Sequence, residues 1–395
     1  TMKIKVGVIF GGKSVEHEVS IISGIQAINN MDKEKYDIVP IYLTKENNMY
    51  VGELVKEVKN FKNIKNVIEN SQRVIMVNNE GRVDLIKYPM KKFGNNLYDS
   101  IDVVLPVVHG TNVEDGALQG FLKTLDIPFA GCDVLSSAIG MDKYVMKTVL
   151  KDNNIPVLDC LRINDFEYIN DNDEVVNRIL NKIALPVIVK PINLGSSVGI
   201  KVAKTKDELV EAIEYAFNFA KQILVERVIR NLKEINCSVL GNIKECKASE
   251  CEEPLGAGVI LSYEDKYISN KSKSGASKGM TSLGRKLPAD IPEDTKKKIQ
   301  NYAEATFKAL NCNGVVRIDF MIDMDTDEVY VNEINTIPGS LAFYLWEASG
   351  LKYKEMLSKL IDLSLTRKRE EGNLSFSYDT KILDGYNGGS KGSKN

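Results

Sequence analysis

Apolar residues fall in short blocks along the chain, and the period of each block predicts an element. Residues 4–10 (Ile-Lys-Val-Gly-Val-Ile-Phe) form an apolar run of strand length. The Gly11-Gly12 turn after it leads into a helical pattern over about 18–29. Further strands are predicted at 38–43 and 102–108, the latter ending at His109-Gly110, so the first third alternates as an α/β sheet does. Between them, residues 45–100 are rich in Asn and Lys. There 73–77 and 82–88, separated by the turn-prone Asn78-Asn79-Glu80-Gly81, predict a surface hairpin inserted into this unit.

Pro128 and Gly131 close the first unit, and 141–153 has the spacing of one amphipathic helix. Residues 185–202 read as strand, Gly-Ser loop, strand. A helix over about 207–220 and a strand at 222–226 complete a small α+β unit. Strands near 235–240, 315–322 and 329–333 and a closing helix through about Leu360 fill the remainder. The expected domains are 1–140, an α/β substrate-binding unit carrying the insertion, then 141–226, then 227–368, with a tail at 369–395. The polar stretch 263–285, where Lys271, Lys273 and Lys278 sit among Ser and Gly, lacks a core pattern and is a candidate lid.

Composition narrows the function classes. A chain of 395 residues, 43% hydrophobic and 27% charged, suits a globular protein with two or three cores. Its net charge of -2, with Lys and Glu interspersed, leaves no basic stripe for nucleic acid or an anionic membrane surface. No apolar stretch approaches the length of a membrane span, and the N-terminus lacks a signal-peptide pattern. The six cysteines (Cys132, Cys160, Cys237, Cys246, Cys251, Cys312) contain no CxxC pair, which speaks against a disulfide framework or a zinc site. A cytoplasmic location follows as the expectation. Thr1 ahead of Met2 reads as a cloning scar, and 388–395 as a flexible end or a cloning remnant.

Two polar strand faces carry the most specific chemistry. Residues two apart on a strand share a face, so Arg317 pairs with Asp319 on one strand and Glu333 with Asn335 on the next. Carboxylate and amide oxygens beside a cation suit Mg²⁺ held jointly with substrate phosphates. Lys190 ends a strand before the loop Gly195-Ser196-Ser197-Val198-Gly199, whose short side chains let backbone amides approach phosphate oxygens. Glu16 and His17 precede a helix N-terminus, and His109 follows a strand, the usual places for ligands in α/β sheets. The string Gly7-Val8-Ile9-Phe10-Gly11-Gly12-Lys13-Ser14 also satisfies the P-loop spacing. A P-loop strand ends before its first glycine, however, and here Val8-Ile9-Phe10 is the heart of the strand.

Together these blocks resemble the D-alanine:D-alanine ligase family of ATP-grasp enzymes. The likeness runs through Gly-Gly-x-Ser-x-Glu-x-Glu-Val-Ser (11–20), His-Gly-x-x-x-Glu-Asp-Gly-x-x-Gln-Gly (109–120) and Met-Asp-Lys (141–143). It continues through Lys-Pro-x-x-x-Gly-Ser-Ser-Val-Gly (190–199), Tyr-Glu-Asp-Lys-Tyr (263–267), Arg-Ile-Asp (317–319) and Asn-Glu-Ile-Asn-Thr-x-Pro-Gly (332–339). The resemblance implies an α/β and α+β multidomain ATP-grasp fold with an N-terminal Rossmann-like domain, and a homodimer. It implies that Lys143, Lys190 and Ser197 contact ATP phosphates and that Glu226, Ile229 and Glu234 line the nucleoside. Asp319, Glu333 and Asn335 would hold two Mg²⁺ (or Mn²⁺). Glu16, supported by Ser196 and Tyr267, would receive the first D-alanine's ammonium, and Arg317 with the Gly339 amide would face the oxyanion. His109, Lys266 and Tyr344 would bind substrate.

The family's implied reaction activates one D-alanine carboxylate as an acylphosphate, which the amine of a second amino acid then displaces. Departures from the family pattern cluster on the acceptor side. After Gly339 the run is Ser340-Leu341-Ala342-Phe343-Tyr344-Leu345-Trp346, and Tyr344 stands where a small hydroxyl residue is usual. Val113 replaces a glycine, and Asn193-Leu194 replace a charged pair. Three readings therefore stand: a dipeptide ligase, an ATP-grasp ligase with another acceptor such as D-serine, and a P-loop or non-enzymatic nucleotide binder. Lys266 and Tyr267 in the lid resemble peptide-forming members rather than D-lactate ester-forming ones.

Overall fold

The computed structural model describes residues 2–195, 197–255, 284–375, 381 and 384. Its first sheet contains β1 (Ile4–Gly11), β2 (Tyr36–Leu43), β3 (Met49–Val51), β4 (Gln72–Asn79), β5 (Arg82–Lys87), β6 (Leu97–Ile101) and β7 (Val103–Val108). They lie in the order β6-β5-β4-β3-β2-β1-β7. β1 pairs in parallel with both β2 and β7 and is buried from Val6 onward, which is why it reads as one apolar run. The helix His17–Asn30 crosses over between β1 and β2. A Cβ on its Gly24 would stand 2.4 Å from the Phe10 Cβ, so glycine permits that close approach.

The predicted hairpin exists as β4 and β5, but it is not an appendage on the surface. It pairs on through β3 and continues the main sheet, burying Val74, Met76, Val83 and Leu85 on one face. On β4 the alternate positions Ile75 and Val77 are apolar as well but exposed, so the run of four apolar residues did not show which face is buried.

The second sheet, antiparallel, has the order β10-β9-β11-β8, with β8 (Cys160–Asn164), β9 (Val187–Pro191), β10 (Lys201–Ala203) and β11 (Gln222–Arg227). Helices Asn172–Lys182 and Lys206–Phe217 pack Val175, Ile179, Leu209 and Ile213 against Val187, Val189 and Val225. The third sheet runs β14-β13-β12-β15-β16, with β12 (Leu232–Gly241), β13 (Cys246–Pro254), β14 (Arg285–Lys286), β15 (Gly314–Asp323) and β16 (Glu328–Asn335). The helix Glu293–Ala309 buries Ile299, Ala303 and Phe307 against it.

The helix predicted over 141–153 is present as Lys143–Asp152, and a separate helix that the sequence pattern did not announce, Val134–Met141, precedes it across Asp142. The Asp142 carboxylate accepts the amides of Tyr144 and Val145 at 3.0 and 2.9 Å, an N-cap inside an apolar pattern. The closing helix runs Tyr353–Glu371, longer than expected, because Arg367 donates to the carbonyls of Gly131 and Phe129 at 2.7 and 2.6 Å. Its Met356, Leu357, Leu360 and Ile361, with Leu240, Val315 and Trp346, join the core of the first sheet. The first and third sheets are thus packed as one body, and their loops meet.

Candidate active site

The antiparallel register of β15 and β16 sets Arg317 opposite Asn335 and Asp319 opposite Glu333. Four polar side chains therefore share one face, with buried Val316, Ile318, Phe320 and Val331 behind them. The Arg317 guanidinium grips Asp319 bidentately, Nε to Oδ1 at 2.7 Å and Nη2 to Oδ2 at 2.9 Å. Asn335 Nδ2 donates to Asp319 Oδ2 at 3.3 Å. Burial would loosen the Arg317 proton, but the Asp319 charge outweighs it and holds the guanidinium well above the ordinary arginine value.

Two buried lysines, Lys143 and Lys190, reach this strand pair, and a third, Lys147, meets Lys190 at Glu226. Lys143, first residue of its helix, donates Nζ to Leu194 O at 2.7 Å and lies 3.9 Å from Glu333 Oε2; burial lowers its pKa. Lys190 on β9 pairs with Glu226 on β11 and donates to Asn332 Oδ1 at 3.2 Å. Lys147 pairs with the other Glu226 oxygen and donates to Leu158 O at 2.9 Å. Burial would raise the Glu226 carboxyl, yet Lys190 and then Lys147 hold it at about 2. Lys147 was missed in the sequence, although it stands one helical turn after Lys143 on the same helix face. Ile229 packs with Leu158 and Met321 in a small apolar cluster, and Glu234 is the register partner of Met321. Ser197 is left-handed at φ 59° in the Gly-Ser loop.

The first sheet supplies the other wall. Glu16 caps the helix His17–Asn30 at its start, with its amide donating to Ser14 Oγ at 3.1 Å. A Cβ at Gly195 would lie 3.1 Å from Glu16 Oε2, and one at Gly110 only 3.0 Å from the same atom. The Gly-Ser loop and the loop after β7 therefore close on the Glu16 carboxylate from two sides. Glu114, named in no expected role, accepts the Gly110 amide at 3.1 Å. Burial, and then the charge of Glu16, push its carboxyl up to about 8.

The two histidines differ from the expectation placed on them together. His17 lies in the helix, fully buried: Nδ1 donates to Gly12 O at 2.6 Å, and Nε2 accepts from Tyr42 OH at 2.8 Å. It shapes the glycine turn and reaches no cleft. His109 Nδ1 donates to Ile337 O at 2.8 Å, which makes Nε2 the acceptor of Ser23 Oγ–H at 3.0 Å. Ser23 Oγ in turn accepts the Ser340 amide at 3.0 Å. Ser23, which no motif announces, and His109 thus hold the turn containing Gly339. That turn then runs left-handed through Ser340, Leu341 and Ala342, at φ 52°, 51° and 53°.

Tyr344 is buried beyond that turn. Its hydroxyl donates to Glu252 Oε1 at 3.0 Å, Asn236 Nδ2 donates to the same oxygen at 3.1 Å, and Arg285 Nη1 donates to Oε2 at 3.1 Å. The Arg285 guanidinium stacks 3.7 Å from the Tyr344 ring centroid. Burial, then the Glu252 charge, push the phenol up to about 12. Ser196, Lys266 and Tyr267 lie outside the described residues, as does the lid segment apart from its last two positions.

Among the described residues no three His, Cys, Asp or Glu side chains cluster as a self-sufficient metal site. Asp319 and Glu333, opposed across the strand pair with Asn335 alongside, offer two carboxylates and one amide oxygen. That set suits a hard cation that completes its shell with phosphate oxygens and water, as Mg²⁺ does.

Three sheets with a carboxylate-bearing strand pair facing buried lysines define an ATP-dependent ligase of the ATP-grasp class. Comparison with known proteins gives the family. Residues 5–132 match the D-ala D-ala ligase N-terminus, and residues 149–362 match the D-ala D-ala ligase C-terminus. The D-alanine-D-alanine ligase of Thermosipho melanesiensis is 37% identical over 381 residues, 96% of this chain and 98% of that one. The solved structure of the Coxiella burnetii D-alanine-D-alanine ligase superposes with a TM-score of 0.78 at 31% identity, covering 94% of this chain and 97% of that one. The VanG D-Ala:D-Ser ligase of Enterococcus faecalis gives a TM-score of 0.73, also at 31% identity, covering 92% and 100%. The chain belongs to the D-alanine:D-alanine ligase family.

Proposed function

We propose that this enzyme joins two D-alanines to D-alanyl-D-alanine at the expense of ATP, for peptidoglycan precursor synthesis. The observation that carries this reading is the β15–β16 register, which sets Asp319 against Glu333 beside Arg317, within reach of the Lys143 ammonium.

In the proposed reaction a carboxylate oxygen of the first D-alanine attacks the γ-phosphorus of ATP, and ADP leaves. The amine of the second D-alanine, after losing a proton, attacks the acyl carbon. The tetrahedral intermediate collapses by expelling inorganic phosphate. Lys143 and Lys190 supply positive charge to the phosphates, with Ser197 in the adjoining loop, and Ile229, Glu226 and Glu234 line the nucleoside. Two Mg²⁺ (or Mn²⁺) held by Asp319, Glu333 and Asn335 would neutralise phosphate charge. Glu16 receives the first ammonium, in a network assigned also to Ser196 and Tyr267. Arg317 and the Gly339 amide face the developing oxyanion, the amide aimed by the Ser23–His109 chain. Exclusion of water from the acylphosphate is the task assigned to the lid over 263–285.

A second reading, a different acceptor such as D-serine, is supported by one feature: the sequence after Gly339 puts Tyr344, tied to Glu252 and Arg285, where a small hydroxyl residue is expected. We assign the acceptor's carboxylate end to this cluster and Lys266. The likeness to a D-Ala:D-Ser ligase supports keeping the reading open to test. The setting we infer is a cytoplasmic homodimer acting on small molecules, without nucleic acid or membrane partners; among the described residues no helix is long and apolar enough to cross a membrane. Incubation with ATP, Mg²⁺ and D-alanine should yield D-alanyl-D-alanine by mass spectrometry. Turnover only when D-serine or another amino acid is added would replace the first reading with the second.

A further inference from the structure

Glu226 is the centre of a buried charge cluster to which the proposed chemistry gives only part of a purpose. Its carboxylate is 1% exposed, and each oxygen is taken by a different lysine, Oε1 by Lys190 and Oε2 by Lys147. The two lysines are not equivalent. Lys147 comes from the middle of the helix Lys143–Asp152, is 3% exposed, and is anchored a second time on Leu158 O at 2.9 Å. Lys190 ends β9 just before the Gly-Ser loop, and its second partner is the side chain of Asn332, next to Glu333.

We propose that Lys147 is a positioning residue for the nucleotide: it is the fixed counter-ion of Glu226, and by balancing that buried charge it releases Lys190 to serve the phosphates. The inference rests on the assignment of Lys190 to ATP. A buried carboxylate keeps a counter-ion, because stranding the charge in a low dielectric is costly. With Lys147 in place, Lys190 can turn its ammonium from Glu226 toward phosphate while Glu226 stays paired. Without Lys147, Glu226 depends on Lys190 for its counter-charge, and every phosphate contact by Lys190 must break that pair. The helix also carries Lys143 at its first turn, so Lys147 ties the backbone bearing one phosphate lysine to the carboxylate that restrains the other.

Steady-state kinetics on the full chain with Mg²⁺ and D-alanine tests this. Lys147→Met should raise KM for ATP about tenfold or more, while kcat and KM for D-alanine stay within about threefold. Glu226 itself is assigned to the nucleoside, so the comparison is a cycle: added to Glu226→Gln, whose neutral amide no longer holds Lys190, Lys147→Met should raise KM for ATP by less than about twofold. A purely structural role predicts the opposite: all three parameters and the melting temperature worsen in Lys147→Met, and by similar factors in the Glu226→Gln background. If Lys147→Met does not accumulate, Lys147→Gln, which keeps a donor for Leu158 O, carries the same expectations. Lys190→Met separates the inference from its foundation. Unchanged KM for ATP in that variant overturns the ATP assignment itself; a raised KM there with a native KM in Lys147→Met overturns only the role given to Lys147.

Discussion

The strand pair β15–β16 and the turn that follows it sit side by side in the cleft and are built on opposite principles. On the strands, side-chain direction follows from alternation, so Arg317, Asp319, Glu333 and Asn335 face one way whatever surrounds them. Past Gly339 the backbone runs left-handed through three non-glycine residues, and its course is set by long-range bonds from Ser23 and by burial of Leu341, Ala342 and Leu345. Left-handed residues are unfavourable singly, and a run of three persists only where its surroundings over-determine it. Charge placement in this family member is therefore robust on the strand pair proposed for the nucleotide and contingent on the turn proposed for the acceptor.

Substitution on the strands should give the largest effects. Asp319→Ala or Glu333→Ala is expected to lower kcat by about a thousandfold or more, since each removes a carboxylate assigned to hold Mg²⁺ against the phosphates. Lys13→Ala, at the residue that completes the P-loop spacing, should cost less than about threefold. Its side chain is exposed, and β1 runs through Gly11 with Val8, Ile9 and Phe10 buried. Comparable losses at Lys13 and Asp319 would show that the nucleotide lies at the N-terminal glycine turn and that the strand pair does something else.

The turn should answer differently. Tyr344→Phe removes the hydroxyl from Glu252 and leaves Asn236 and Arg285 on that carboxylate. Loss of one hydrogen bond to a charged group predicts about a tenfold rise in KM for the acceptor amino acid, with KM for ATP within about twofold. Equal changes in both constants would mean that Tyr344 supports the cleft as a whole rather than its acceptor end. A preference for D-serine emerging in this variant would identify the phenol as the specificity element.

The same contrast explains what was legible in the sequence. Alternation exposed the polar face proposed to hold metal, because Arg317-x-Asp319 and Glu333-x-Asn335 carry their orientation in their spacing. The buried run 4–10 likewise announced β1. What stayed hidden depended on partners distant in the chain. Ser23 is one polar residue on an otherwise ordinary helix, and its role exists only because Ser340 lies 317 positions away and 3.0 Å distant. Glu252 sits in the polar string Glu250-Cys251-Glu252-Glu253, which reads as surface, yet it is 3% exposed and bound by three donors. β13 escaped notice for that reason.

The smallest expected effect concerns stability and tests how tightly the first and third sheets crowd acidic groups together. Glu114 carries a carboxyl raised to about 8 by burial, by Glu16 and, more weakly, by Glu333 across the cleft. Between its unfolded value near 4.5 and about 8 the folded protein holds a proton that the unfolded chain has released. Stability from this group is therefore full at the acid end, falls as pH rises through that window, and levels off above it. His109, whose pKa burial lowers, acts the other way: the unfolded chain takes up its proton first, so stability is lost as pH falls below about 6.5. Glu114→Gln keeps an acceptor for the Gly110 amide but cannot ionise, leaving in place the dependence from His109 and from His17, whose pKa burial also lowers. Melting temperatures taken at unit steps from pH 5 to 8 should show the variant gaining on the native protein by a few degrees as pH rises. Parallel curves would mean that Glu114 is already ionised at neutral pH, and that the wall made by Glu16, Glu114 and Glu333 is more open to water than their packing indicates.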